Sequence, residues 1–178
     1  MSDDHIDRKI AVIFATDVVG YSKSIEADEA QTIKNLRACK KLLDQNLKKH
    51  GGDIFNTAGD SVLAEFSSAV AALECAAEFQ AQIKERNESS DASQLMEFRI
   101  GLNMGDVVKE DGNLYGDGVN IAARLEFFAQ PNGISISKPV YDFVKGKTGL
   151  VFNDLGIQQV KENKFQVYDV LLDPSHKR

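Results

Sequence analysis

The stretch Gly51-Gly-Asp-Ile-Phe-Asn-Thr-Ala-Gly-Asp-Ser-Val-Leu-Ala-Glu-Phe66 decides the fold. Gly51-Gly52 stops a helix. A hairpin follows: Asp53–Thr57 and Ser61–Phe66 flank Ala58-Gly59-Asp60, a short turn with Gly where a positive φ is cheap. Ahead of it lie an apolar strand, Ile10–Thr16, suited to burial on both faces, and a helix from about Asp28 to His50 with Ile33, Leu36, Leu43 and Leu47 on one face. Behind it, Ser67 or Ser68 caps a helix to about Arg86. Then Met96, Phe98, Ile100, Leu102 and Met104 alternate with Glu97, Arg99 and Asn103, as in a half-buried strand. The order β-α-β-β-α-β predicts an α+β sandwich of the ferredoxin-like kind. Additions follow it. A glycine-rich stretch, Asp111–Gly118, opens a helix to about Phe128, and Ile134–Ser137 is a strand before a short helix from Pro139. Two or three C-terminal strands are expected, at Leu150–Phe152, near Gln158–Val160 and at Phe165–Leu172.

Composition narrows the chemistry. The chain has 178 residues, about one domain's worth, with 21 Lys plus Arg against 27 Asp plus Glu and a net charge of −6. That balance argues against a nucleic-acid binder and a basic membrane-surface protein. The longest apolar run, Ile10–Ala15, is far short of the roughly 20 residues that span a bilayer. No secretory pattern opens the sequence, so a cytoplasmic location is expected. Cys39 and Cys75 fit no metal or redox spacing and read as buried thiols. The three histidines, His5, His50 and His176, form no zinc or triad pattern. Gly146-Lys147-Thr148 lacks the earlier glycine of a phosphate loop, because Tyr141 stands there. Chemistry is left to carboxylates, amides, Arg and Lys.

Asp17 ends the first strand and Asp60 sits at the hairpin turn. In a ferredoxin-like fold those strands pair, which lets the two carboxylates face each other and suits Mg²⁺ or Mn²⁺. Taken singly, either aspartate reads equally as turn chemistry. Asn120 and Arg124, four apart on a helix, share a face that can hold a phosphate or simply meet solvent. Lys161, before the last strand, reads alone as a surface lysine.

Together these residues resemble one family, the catalytic domain of class III adenylate and guanylate cyclases. The resemblance rests on Phe14-Ala-Thr-Asp-Val-Val-Gly-Tyr-Ser22, Asn56-Thr-Ala-Gly-Asp-Ser-Val-Leu-Ala-Glu-Phe66, Phe98-Arg-Ile-Gly-Leu-Asn103 and Tyr115-Gly-Asp-Gly-Val-Asn-Ile-Ala-Ala-Arg-Leu-Glu126. It covers residues 8–172, with tails at 1–7 and 173–178. The resemblance implies that a nucleoside triphosphate is closed to its 3′,5′-cyclic nucleotide with release of pyrophosphate. It implies two divalent ions held by Asp17, Asp60 and the Val18 carbonyl, a ribose oriented by Asn120, and α-phosphate charge stabilised by Arg124. Lys161 would meet the terminal phosphates. It also implies a homodimer in which the aspartates of one subunit face the Asn, Arg and Lys of the other.

The base-reading positions depart from the family pattern. Adenylate members commonly carry Lys and Asp where Asn56 and Asn113 stand, and an asparagine can serve either purine. The acidic residue usual in guanylate members is absent at position 56, so ATP is the favoured substrate. The segment after Lys161 is about two residues shorter than the family's and lacks its proline. A catalytically silent nucleotide-binding module is the competing reading. A diguanylate cyclase would need Gly-Gly-Asp/Glu-Glu-Phe where Ala58-Gly-Asp-Ser61 stands.

Overall fold

The structure is a computed structural model and describes residues 7–173, 175, 177 and 178. Of the expected N-terminal tail, residues 1–7, only Asp7 is among them. It already belongs to the first strand, β1 (Asp7–Val18). His5 and His176 lie outside the described residues.

β1 outruns its apolar stretch because it pairs with β4 (Phe98–Glu110) along its whole length, from Asp7 opposite Lys109 to Val18 opposite Phe98. After β1 come a short helix not foreseen in the sequence, α1 (Tyr21–Ala27), and α2 (Glu29–His50). Asp28 caps α2 by accepting the Gln31 N–H at 3.1 Å. Gly51 ends it at φ 82°, a conformation that costs glycine nothing. The hairpin is β2 (Asp53–Ala58) and β3 (Ser61–Phe66), one residue tighter than expected. Ser68 caps α3 (Ala69–Glu88). A three-residue strand, β5 (Asn113–Tyr115), interrupts the glycine-rich stretch and folds back on β4 before α4 (Asp117–Phe128). β6 (Ile134–Ser137) and α5 (Lys138–Val144) stand where expected.

The C-terminal end resolves the expected two or three strands as two. Leu150–Phe152 and Gln158–Val160 are parts of one strand, β7 (Val151–Val160), which a register shift between Asp154 and Ile157 bends without breaking. β8 (Asn163–Leu171) pairs back along it. The sheet runs β2-β3-β1-β4-β6-β8-β7 with β5 against β4, eight strands among the described residues. Among the described residues only the β4–β6 pairing is parallel.

Apolar packing divides the molecule into three layers. On one face, Val12 and Phe14 of β1 and Phe98, Ile100 and Leu102 of β4 pack against α2, α3 and α5. Phe79 of α3 meets Phe98 edge-on at 5.0 Å. Cys39 and Cys75 lie in this layer as free thiols, and burial pushes Cys75 up to about 12, well out of reactive range. On the other face, Ala11, Ile13 and Ala15 pack against Val119 and Ala122 of α4. β1 is therefore buried on both sides, as its sequence implies.

β4 is not the half-buried strand its alternation suggests, because α4 covers its second face. Gly101 is buried, and so is Asn103, whose Nδ2 donates to the Gly118 carbonyl at 2.9 Å. At Gly101 the helix backbone lies directly on the strand. A Cβ there would collide with the Glu126 backbone nitrogen and stand 2.5 Å from the Ala122 carbonyl oxygen. This close approach brings the end of α4 to the end of β1.

Candidate active site

Two groups of polar residues meet at that junction. In the first, β1 and β3 pair up to Thr16 opposite Val62, so the β2–β3 turn arrives beside the end of β1. Asp60 accepts the Val18 N–H on Oδ2 at 2.9 Å, while its Oδ1 has no partner among the described residues. Asp17, Val18 and Asp60 thus share one corner.

Asp17 is heavily engaged. Arg99 faces it across the β1–β4 pair, with Nε 3.1 Å from Oδ1 and Nη2 2.7 Å from Oδ2. The same guanidinium donates through Nη1 to the Phe127 carbonyl at 3.2 Å and lies 5.3 Å over the Phe127 ring. Arg99 therefore satisfies one of the open carbonyls at the C-terminal end of α4 while holding the end of β1. Glu126 is 7% exposed. Burial foremost, then the hydrogen bond and charge of Asp17, push its carboxyl up to about 9, so it carries a proton at neutral pH. The corner is one carboxylate, one guanidinium and one neutral acid, with Asp60 beside them.

This donor set fits a divalent hard cation. Among the described residues no three His, Cys, Asp or Glu side chains converge as a closed cage. Two carboxylates and a main-chain carbonyl leave coordination open to water and phosphate oxygens, the habit of Mg²⁺ rather than of structural zinc.

The second group lines a cleft of about 300 Å³: Asn120, Arg124 and Lys161, with Glu126, Phe127 and Val160. Asn120 and Arg124 project from the same side of α4. Lys161 arrives at the tip of the β7–β8 hairpin, a two-residue turn held at φ 57° by the pairing of Val160 with Asn163. The segment that looked short in the sequence is this tight turn. Among the described residues the side chains of Asn120, Arg124 and Lys161 make no hydrogen bond or ion pair; the Lys161 carbonyl accepts from Gln159 Nε2 at 3.3 Å. Arg124 Nε is even buried without an acceptor.

Asn56 and Asn113 lie apart from both groups, on β2 and β5, which touch. Asn56 is exposed beside a register shift in the hairpin. Asn113 has a fixed orientation: its Oδ1 accepts the Leu114 N–H at 2.8 Å and its Nδ2 donates to the Tyr115 hydroxyl at 3.3 Å. Arg99 and Glu126 escaped the sequence reading as site residues, although both stand within the quoted stretches. The usable signal was an Arg on the strand beside that of Asp17.

Known proteins resemble this chain in sequence and fold. Residues 4–172 match the family model described as the adenylate and guanylate cyclase catalytic domain. A Rhizobium meliloti (strain 1021) protein provisionally named adenylate cyclase 3 is 42% identical over 162 residues, which is 90% of this chain and 28% of that protein. The chain spans about a third or less of the curated relatives it matches. Among solved structures, an adenylate/guanylate cyclase/hydrolase from Silicibacter pomeroyi superposes with a TM-score of 0.88 at 36% identity, covering 95% of this chain and all of that one. The guanylate cyclase domain of RhGC from Catenaria anguillulae, in complex with GTP, superposes at 0.77 with 26% identity, covering 92% and 97%.

Proposed function

Given that the chain belongs to the adenylate and guanylate cyclase catalytic domain family, we propose that it converts ATP to 3′,5′-cyclic AMP and pyrophosphate as a cytoplasmic homodimer. The observation that carries this reading is the cationic cleft. A guanidinium with a buried Nε and no acceptor, beside an amide and an ammonium, is arranged for an anion with several oxygens. A triphosphate supplies them.

In this reading Asp17, Asp60 and the Val18 carbonyl hold two divalent ions, which supply acidification of the ribose 3′-hydroxyl and neutralisation of the triphosphate. Asn120 orients the ribose. Arg124 takes up charge that moves onto the α-phosphate during in-line displacement, and Lys161 holds the terminal phosphates. Asn56 and Asn113 face the base.

Two features support a homodimer with shared sites. Among the described residues no hydrogen bond or ion pair joins Asp17 or Asp60 to Asn120, Arg124 or Lys161. The elements bearing these residues also expose large apolar side chains: Ile54, Tyr115, Phe127 and Ile157. A two-fold contact buries such groups and pairs each half-site with the other subunit's complement.

A second reading of the base has its own observation. The Asn113 carbonyl accepts the Leu114 N–H and one amide N–H goes to the Tyr115 hydroxyl, so the other N–H is the donor a base meets. Donors suit guanine O6 as well as an adenine ring nitrogen. Relaxed purine selection follows.

A chromatographic product assay with ATP or GTP, with Mg²⁺ and then Mn²⁺, tests both readings. Cyclic AMP from ATP alone supports the first, and comparable product from both triphosphates supports the second. No product from a protein shown to be dimeric overturns the proposal in favour of a silent nucleotide-binding module.

A further inference from the structure

We propose that Arg178 is a positioning residue for the cationic cleft: it ties the C-terminal end of α4 to the β7–β8 hairpin and so sets the spacing between Arg124 and Lys161. This rests on reading those two side chains as phosphate ligands.

The cleft has two walls. One is α4 with Asn120 and Arg124, and the other is the β7–β8 hairpin with Lys161. Arg99 and Asn103 of β4 bond the Phe127 and Gly118 carbonyls and fasten α4 to the middle of the sheet. The hairpin is held by its own pairing and, through β8, by β6. Arg178, from the stretch expected as a C-terminal tail, spans the two walls. Its Nε lies 2.7 Å from Asp169 Oδ2 and its Nη2 3.0 Å from Oδ1, a fork onto β8. The same Nη2 donates to the Phe128 carbonyl at the end of α4, at 3.2 Å, and the guanidinium lies 4.5 Å over the Phe128 ring. The Arg178 carbonyl accepts Asn153 Nδ2 of β7 at 3.0 Å. Among the described residues no other side-chain hydrogen bond joins α4 to β7 or β8. Sheet register sets the anchor: Ser135, Asp169 and Asn153 stand in one row across β6, β8 and β7. Asp169 is 5% exposed and also accepts the Ser135 hydroxyl at 3.0 Å. Leaving a buried carboxylate without its cation is costly, so the fork is hard to open. Phe128 lies one turn beyond Arg124, so the tie acts on the turn that carries that guanidinium.

The test is a double-mutant cycle: kcat/KM for whichever triphosphate the wild type cyclises, in Arg178→Gln, Lys161→Ala and the double variant, each measured well below its melting temperature. Arg178→Gln is expected to lose about 10-fold, short of the roughly 10²-fold that a full ångström of misplacement costs. On the Lys161→Ala background the same substitution is expected to cost less than about twofold, since no spacing is left to set. A merely structural role lowers activity by the same factor on both backgrounds, and that result overturns the proposal. So does a folded Arg178→Gln protein with wild-type kcat/KM. If Arg178→Gln does not fold, Arg178→Lys replaces it in the cycle with the same deciding outcomes, because it keeps a cation beside Asp169 and loses the fork that also reaches Phe128. If the wild type consumes no triphosphate, the cycle is read from the Kd of ATP by calorimetry, and the same non-additivity is expected. Lys161→Ala with wild-type kcat/KM and wild-type Kd removes the phosphate reading of the cleft itself, a failure seen before Arg178 is changed and distinct from an incorrect role for it.

Discussion

The two halves of the site differ in how far one chain completes them. At the carboxylate corner nearly every polar group has a partner: Asp17 has Arg99, Asp60 has the Val18 N–H, and Glu126 keeps its proton against Asp17. In the cleft under the β7–β8 hairpin, the side chains of Asn120, Arg124 and Lys161 have none among the described residues. Buried polar groups without partners cost stability, and Arg124 Nε is one of them, which is consistent with an anion as its proposed partner. The corner is built by folding; in the proposed reading, association and substrate complete the cleft.

The sharpest way to break that contrast is to mix broken halves. Asp17→Ala and Arg124→Ala should each lower the rate by about 10²–10³-fold or more, the range for losing one preorganised group at a transition state. Subunits exchanged between the two variants should recover up to about a quarter of wild-type activity, because half the random dimers are mixed and each mixed dimer has one intact site of two. Activity that stays absent despite confirmed exchange means both halves act within one chain.

The next largest effect concerns the junction carrying both halves. Gly101→Ala forces a methyl group into the α4 backbone at Ala122 and Glu126, neither of which can yield like a flexible side chain. A loss of at least about 3 kcal/mol is expected, or roughly 6–12 °C in Tm. A variant as stable as the wild type, measured by thermal melting, would show that α4 can lift from β4 freely.

A third effect probes the charge balance of the corner. Glu126 holds its proton to about pH 9 in the fold, whereas an unfolded chain releases it near 4.5. Between those values the folded state binds more protons than the unfolded state, so stability contributed by the neutral acid falls as pH rises through the window. Glu126→Gln should flatten that dependence. Melting in EDTA at pH 5.5 and 8.5 should show the wild type losing more stability over the interval than the variant, and equal losses would mean Glu126 is already ionised at neutral pH.

The legible parts of the molecule were those written in local pattern. Alternation, helical spacing and capping residues placed α2, the hairpin and α3 within a few residues, and the i, i+4 spacing put Asn120 and Arg124 on one face before any coordinates. Period-two alternation misread β4 because it reports side-chain type, and Gly101 contributes no side chain to the pattern. The gap between Leu150–Phe152 and Gln158–Val160 read as a break because a bulge interrupts alternation without ending the strand.

By itself the sequence determined the order of the main elements, the acidic balance, the lack of a zinc or triad histidine spacing, and the family likeness. These all reside in neighbouring residues or in composition. Only the tertiary structure decided that Arg99 grips Asp17 across 82 positions of chain, that Glu126 is buried beside them, and that Lys161 is delivered by a tight turn. Such pairings follow from sheet register and from one helix lying on one glycine. Spacing along the chain does not encode them; they exist once the layers have closed.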